Sequence, residues 1–107
     1  FALTILSTVV SRPGPTRIVT DAGFKTMSNQ HAAPKPIGVD SLSSLSLSAE
    51  HCTVETSVPN AILMVGDTLE FIVGYSDSTV MLHDEMYGIR NGIVETLWSI
   101  QGRGKIR

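Results

Sequence analysis

The sequence predicts an all-β domain, an antiparallel β-barrel or sandwich with at most one or two short helical turns. Three observations carry that expectation. β-Branched residues gather in short apolar runs such as Leu3–Val10 (LTILSTVV) and Thr68–Gly74 (TLEFIVG). Gly, Pro, Asn and Asp interrupt the chain at short intervals, as turns between strands require. Near the C-terminus Asn91-Gly92 separates two apolar runs, and Asn-Gly is the favoured pair for a type I′ hairpin.

Taken in order, Leu3–Val10 is the first strand. Pro13-Gly14-Pro15 is expected to break it, and Arg17–Thr20 (RIVT) to resume as its antiparallel partner. Asp21-Ala22-Gly23 ends that strand, and Phe24–Met27 reads as a short extension or a turn. Residues 28–41 read as a long loop with Asn29, Pro34, Pro36, Gly38 and Asp40, a length that suggests function or mobility. Ser41–Ser48 (SLSSLSLS) alternates leucine with serine, as an edge or half-buried strand does. Thr53–Thr56 is a further β-prone piece, and Pro59-Asn60 and Val65-Gly66-Asp67 are turns before the strand at Thr68–Gly74. Asp77–His83 can start a helical turn capped by Asp77 or Ser78. Met86–Ile89 and Ile93–Ile100 then flank the hairpin turn, with Trp98, Leu97 and Ile100 expected in the core. The tail, Gly102–Arg107, is Gly-rich and basic.

Composition bounds the function. A length of 107 residues is one domain, here residues 1–107 as a single β-domain. A net charge of -2 excludes a binder that works mainly by neutralising nucleic-acid phosphates. No apolar run is long enough to span a membrane as a helix. A single cysteine, Cys52, can form neither an internal disulfide nor a cysteine cluster, and a cytoplasmic setting is the default expectation. The chain opens on Phe1 inside an apolar run without a basic leader. It therefore reads as the C-terminal piece of a longer protein, beginning within a strand.

Chemistry-bearing residues are few. His31, His51 and His83 are far apart, and each alone reads as a surface or hydrogen-bonded structural residue. Cys52 among β-prone neighbours reads as packing, and Glu50-His51 as an exposed pair. The cluster Tyr75-Ser76-Asp77-Ser78-Thr79 stands out because it follows a strongly apolar strand, where side chains can converge on a pocket. On an extended backbone Tyr75 and Asp77 share a face, and a phenol beside a carboxylate can move a proton or hold a hard metal ion. The plain alternative is that Asp77 caps the following turn and Tyr75 packs on the sheet.

Leu3–Arg12 (LTILSTVVSR), Asp21–Ser28 (DAGFKTMS), Leu47–His51 (LSAEH), Val65–Asp67 (VGD), Asp77–Asp84 (DSTVMLHD) and Ile100–Gly104 (IQGRG) occur in this order. Together they resemble the C-terminal domain of the D-threonine aldolase and D-serine dehydratase group, pyridoxal-phosphate enzymes of alanine-racemase-like architecture. The resemblance covers nearly the whole chain. It implies an N-terminal (β/α) barrel that carries pyridoxal phosphate on a lysine, a role that Lys25, Lys35 and Lys105 do not fill. It also implies a homodimer in which this β-domain closes the partner subunit's active site.

In that group a divalent metal near the substrate β-hydroxyl is held by a His-x-Cys or His-x-Asp pair just before a Thr-Val-x-Leu-His segment. The corresponding residues are Tyr75-Ser76-Asp77. The resemblance therefore makes Asp77 the metal ligand, toward Mn²⁺ or Mg²⁺. Tyr75, which replaces the histidine, becomes the acid/base or hydrogen-bond donor. The implied activity is a metal-assisted lyase on D-β-hydroxy amino acids, cleaving them to glycine and an aldehyde. A dehydratase of D-serine or hydroxyaspartate type, a racemase of the same architecture, or a non-catalytic β interaction module are the alternatives.

Overall fold

Period-two alternation of inward apolar and outward polar side chains builds the core, in strands β1 (Thr4–Gly14), β2 (Arg17–Thr20), β5 (Cys52–Thr56) and β6 (Thr68–Ile72). Ser7 and Val9, Ile18 and Thr20, Cys52, Val54 and Thr56, and Leu69 and Phe71 are the buried members of those strands. Ala22, Met27 and Val39 close the core from the connections. Fully burying a side chain such as Phe71 or Ile18 contributes about 1.5–3 kcal/mol, so these few positions dominate stability. The computed structural model describes residues 1–105; Ile106 and Arg107, the end of the basic tail, lie outside the described residues.

Adding β3 (Lys35–Pro36) and β4 (Leu42–Leu47) completes a six-stranded sheet in the order β3-β6-β1-β2-β5-β4, every pair antiparallel. β1 is the corner of this curled half-barrel. Its first half pairs with β6 over Thr4–Thr8, and its second half pairs with β2 from Val9 onward through two register shifts. Bulges bend a strand and let it serve two neighbours in turn. Two further strands, β7 (Glu85–Arg90) and β8 (Ile93–Ser99), form a separate hairpin, and one short helix, α1 (Ser76–Val80), links β6 to it.

The all-β expectation holds, and so does the hairpin. Asn91 and Gly92 have φ of 50° and 75°, the left-handed pair that a type I′ turn needs. β4 is an edge strand with its serines exposed and Leu45 and Leu47 half-buried, as the alternation predicts. Several boundaries differ. β1 does not stop at Pro13 but runs to Gly14, because its outward edge at the bulges needs no ladder hydrogen bond from proline. The long loop at 28–41 contains β3, which adds Lys35 and Pro36 to the edge of β6.

Trp98 and Leu97 are not in the core. They are 50% and 53% exposed, while Ile100 is half-buried. The hairpin stands apart from the six-stranded sheet, and Tyr87, Ile89, Ile93 and Val94 are exposed with them. Trp98 instead lies over Gly88 across the strand pair, where a Cβ would come within 2.7 Å of its ring.

Candidate functional site

Apart from Leu3–Arg12, which runs along strand β1, the segments that carry the sequence resemblance are joints of this fold. Asp21–Ser28 packs on Leu47–His51: Phe24 and Lys25 donate backbone hydrogen bonds to Ser48 and Ala49, and the Lys25 ammonium meets Glu50 at 2.9 Å. That ammonium holds the Glu50 carboxyl below the usual carboxylate range. Val9 exchanges backbone hydrogen bonds with the Gly66-Asp67 turn, and Asp21 Oδ1 accepts the Thr8 N–H at 2.8 Å. Arg103 donates to Asp84 Oδ1 at 3.0 Å and to the Met81 carbonyl at 2.8 Å, tying the tail to the end of the Asp77–Asp84 segment.

The polar cluster stands where β6 ends. The strand stops at Ile72, Tyr75 is the extended residue just before α1, with φ -151° and ψ 118°, and α1 starts at Ser76. Asp77 therefore lies in the first turn of the helix, and no side chain caps it; the expected capping by Asp77 or Ser78 is not what forms. Strand alternation does not align Tyr75 and Asp77 either. The chain's change from extended to helical backbone turns Asp77 back under the phenol. Tyr75 OH donates to Asp77 Oδ2 at 3.2 Å, and Ser76 Oγ donates to Asp77 Oδ1 at 3.3 Å.

Two further residues complete the arrangement: Thr79, a member of the cluster named from the sequence, and His31, which sequence reasoning did not place here. Thr79, 1% exposed, donates to the Tyr75 carbonyl at 2.7 Å and accepts the Ser28 N–H at 3.1 Å. His31, read alone as a surface or structural residue, sets its ring edge-to-face with Tyr75, centroids 4.6 Å apart at 82°. No spacing in the sequence signals His31, since the two meet only because the 28–33 loop folds onto the end of β6. His83 behaves as expected, its Nε2 hydrogen-bonded to the Thr26 carbonyl at 2.7 Å. Cys52 is fully buried on β5, and burial pushes its thiol up to about 12, which fits packing rather than reactivity.

A large concavity lies away from this cluster. An open groove of about 900 Å³ runs between β1 and the hairpin, lined among others by Leu3, Ile5, Val80, His83, Met86 and Trp98. Tyr75 and Asp77 are outside its lining, with Asp77 exposed to solvent.

Comparison with known proteins defines the class. Residues 2–89 match the family described as "Putative serine dehydratase domain". Over 97% of its length the chain is 39% identical to a 3-hydroxy-D-aspartate aldolase of Paracoccus denitrificans, and over 96% it is 32% identical to a D-threonine aldolase of an Arthrobacter species. It spans about a quarter of those relatives, 26% and 27% of their lengths. A crystal structure of D-threonine aldolase from Filomicrobium marinum shares the fold, with a TM-score of 0.89 at 24% identity, covering 97% of this chain and 29% of that one. The chain belongs to the putative serine dehydratase domain family, and the resemblance to the D-threonine aldolase and D-serine dehydratase group stands.

The family implies two groups, and neither fits the residues of this chain alone. For pyridoxal phosphate an anchoring lysine is needed, but Lys25 is exposed and paired with Glu50, and Lys35 and Lys105 are exposed. For a divalent cation Asp77 offers one carboxylate, but both of its oxygens already accept hydrogen bonds, Oδ2 from the Tyr75 phenol and Oδ1 from Ser76. Among the described residues, no three His, Cys, Asp or Glu side chains gather into a ligand set. Among those residues, no helix is long and apolar enough to cross a membrane.

Proposed function

We propose that this chain is the β-domain of a pyridoxal-phosphate-dependent lyase that acts on D-β-hydroxy amino acids, cleaving them to glycine and an aldehyde. One observation carries the reading: the hydrogen-bonded Tyr75–Asp77 pair at the end of β6, in a chain 39% identical to a 3-hydroxy-D-aspartate aldolase. An N-terminal domain of the same protein holds the cofactor, which supplies an electron sink for the bond that breaks. A second copy of the protein pairs with it to close the site.

Tyr75 and Asp77 are this domain's contribution. When a Cα–Cβ bond breaks beside a β-hydroxyl, that hydroxyl must lose its proton as the aldehyde carbonyl forms. Asp77 is an exposed carboxylate able to accept it. Tyr75 orients the acceptor by donating its own hydrogen bond to Oδ2, while the carboxylate keeps its capacity for the substrate's proton. If a Mn²⁺ or Mg²⁺ ion serves the reaction, Asp77 is the carboxylate this chain would offer it.

The family's description favours one second reading, a dehydratase, in which the β-hydroxyl leaves instead of the Cα–Cβ bond breaking. Products separate the two. Full-length protein given D-threonine and 3-hydroxy-D-aspartate should release glycine and an aldehyde. Release of ammonia and a 2-oxo acid without glycine would establish the dehydratase instead. Neither product set would return the chain to a non-catalytic role.

A further inference from the structure

We infer that His31 is the positioning residue that fixes the phenol of Tyr75 toward Asp77, and that the 28–33 loop exists as the wall that presents it. The inference rests on the lyase reading above and adds to it a residue from a distant segment.

His31 occupies the left-handed region, φ 64°. Ala32 N–H donates to the Gln30 carbonyl at 2.7 Å, which closes a three-residue turn around His31. A γ-turn of this sense is rare in proteins, and sparsely populated backbone persists where surrounding structure holds it. Here the surroundings are visible. The Ala32 carbonyl is pressed into the space beside Gly74, where a Cβ would overlap it. Four residues before Ala32, Ser28 N–H is anchored on Thr79 Oγ1, and Thr79 itself donates to the Tyr75 carbonyl.

The consequence falls on Tyr75. Its backbone is held through Thr79, and its ring is held by His31 at 4.6 Å and 82°, the edge-to-face geometry that aromatic rings prefer. The hydroxyl of a ring so fixed reaches Asp77 Oδ2 at 3.2 Å. Tyr75 is half-exposed at the end of a strand, so without His31 its ring would be free to turn the hydroxyl to solvent. The imidazole touches no carboxylate of the pair in this arrangement; it acts through the ring of Tyr75.

The test uses the full-length dimeric enzyme with its cofactor and D-threonine as substrate. Four variants are compared: His31→Ala, His31→Phe, Tyr75→Phe and the double variant His31→Ala/Tyr75→Phe. His31 is exposed, so its replacement removes no buried contact, and melting temperatures are compared across the variants to separate an effect on its left-handed turn from one on catalysis. His31→Ala should lower kcat by about three- to tenfold, the weight of one aromatic pair, with KM little altered. His31→Phe should restore most of that loss, because an aromatic ring suffices. In the Tyr75→Phe background His31→Ala should cost nothing further.

Wild-type kcat in His31→Ala, with Tyr75→Phe impaired, overturns this inference and leaves the lyase reading intact. His31→Phe as poor as His31→Ala also overturns it, since the imidazole itself would then be required. Full activity in Tyr75→Phe overturns the lyase site and the inference together.

Discussion

The carbonyl oxygen of Ala32 lies where Gly74 would carry a Cβ. The loop before β3 and the end of β6 thus meet backbone to backbone, one residue before Tyr75. Any side chain at position 74 must push the loop away. Gly74→Ala is expected to cost about 1–3 kcal/mol in denaturant unfolding, the usual range for overpacking. Gly102→Ala is the control, because nothing lies within 4 Å of a Cβ there. Equal stability of the two variants would contradict the close approach.

Arg12 is expected to hold the turn regions beside the β1–β2 hairpin. Its guanidinium donates to the carbonyls of Arg17 and Pro15, each at 3.1 Å, of Asn60 at 2.7 Å, and of Leu63. A planar fork with several donors meets these carbonyls, and an ammonium cannot reproduce it. Arg12→Lys should destabilise by about 1–3 kcal/mol, with faster hydrogen exchange confined to residues 60–63. Unchanged exchange there would show that the carbonyls are satisfied by water.

Cys52 provides a prediction in pH. Its thiol is pushed up to about 12 by burial, from 9.0 for the free group. A folded-state pKa above the unfolded value gives a contribution that is complete below about 9 and is lost as pH rises toward about 12, because the unfolded chain releases its proton first. The stability difference between wild type and Cys52→Val should therefore be flat near neutral pH and shift against wild type above pH 9. In native protein at pH 8, peptide mapping should find Cys52 unalkylated, and labelled only after unfolding. Rapid native labelling would mean the β5 thiol is accessible.

The β7–β8 hairpin should be an interface in the whole protein. Ile93 and Leu97 are 69% and 53% exposed, and Tyr87 and Trp98 are exposed on the same two-stranded unit. An isolated hairpin is marginal in water, and large apolar patches mark binding surfaces. Replacing Ile93 and Leu97 with Asp in the full-length protein should lower its melting temperature or dissociate the assembly in sedimentation. An effect within about 0.5 kcal/mol, the norm for solvent-facing sites, would show the hairpin to be free.

How much was legible in the sequence follows from which contacts are local. The hairpin at Asn91-Gly92 was readable because its turn chemistry lies in two adjacent residues. β4 was readable because leucine and serine alternate within it. Trp98 and Leu97 were misplaced because hydrophobicity signals that a residue will be covered, not whether the cover lies in the same domain. The Tyr75–Asp77 contact was expected for the wrong reason, since strand alternation gives way to the start of α1 between them. His31 was invisible as a site residue because its contact with Tyr75 depends on tertiary folding of a loop without periodicity. The quoted motifs identified the family although most of them are joints, such as Lys25 with Glu50 and Arg103 with Asp84.

The central claim is that Asp77, oriented by Tyr75, takes part in the lyase reaction. The most direct measurement is glycine release from D-threonine by the full-length protein carrying Asp77→Asn, with intact folding checked by circular dichroism. Loss of a positioned acid or base lowers rates by about 10²–10⁴-fold, and the account predicts a fall of at least the lower value. Glycine release at the wild-type rate would contradict it.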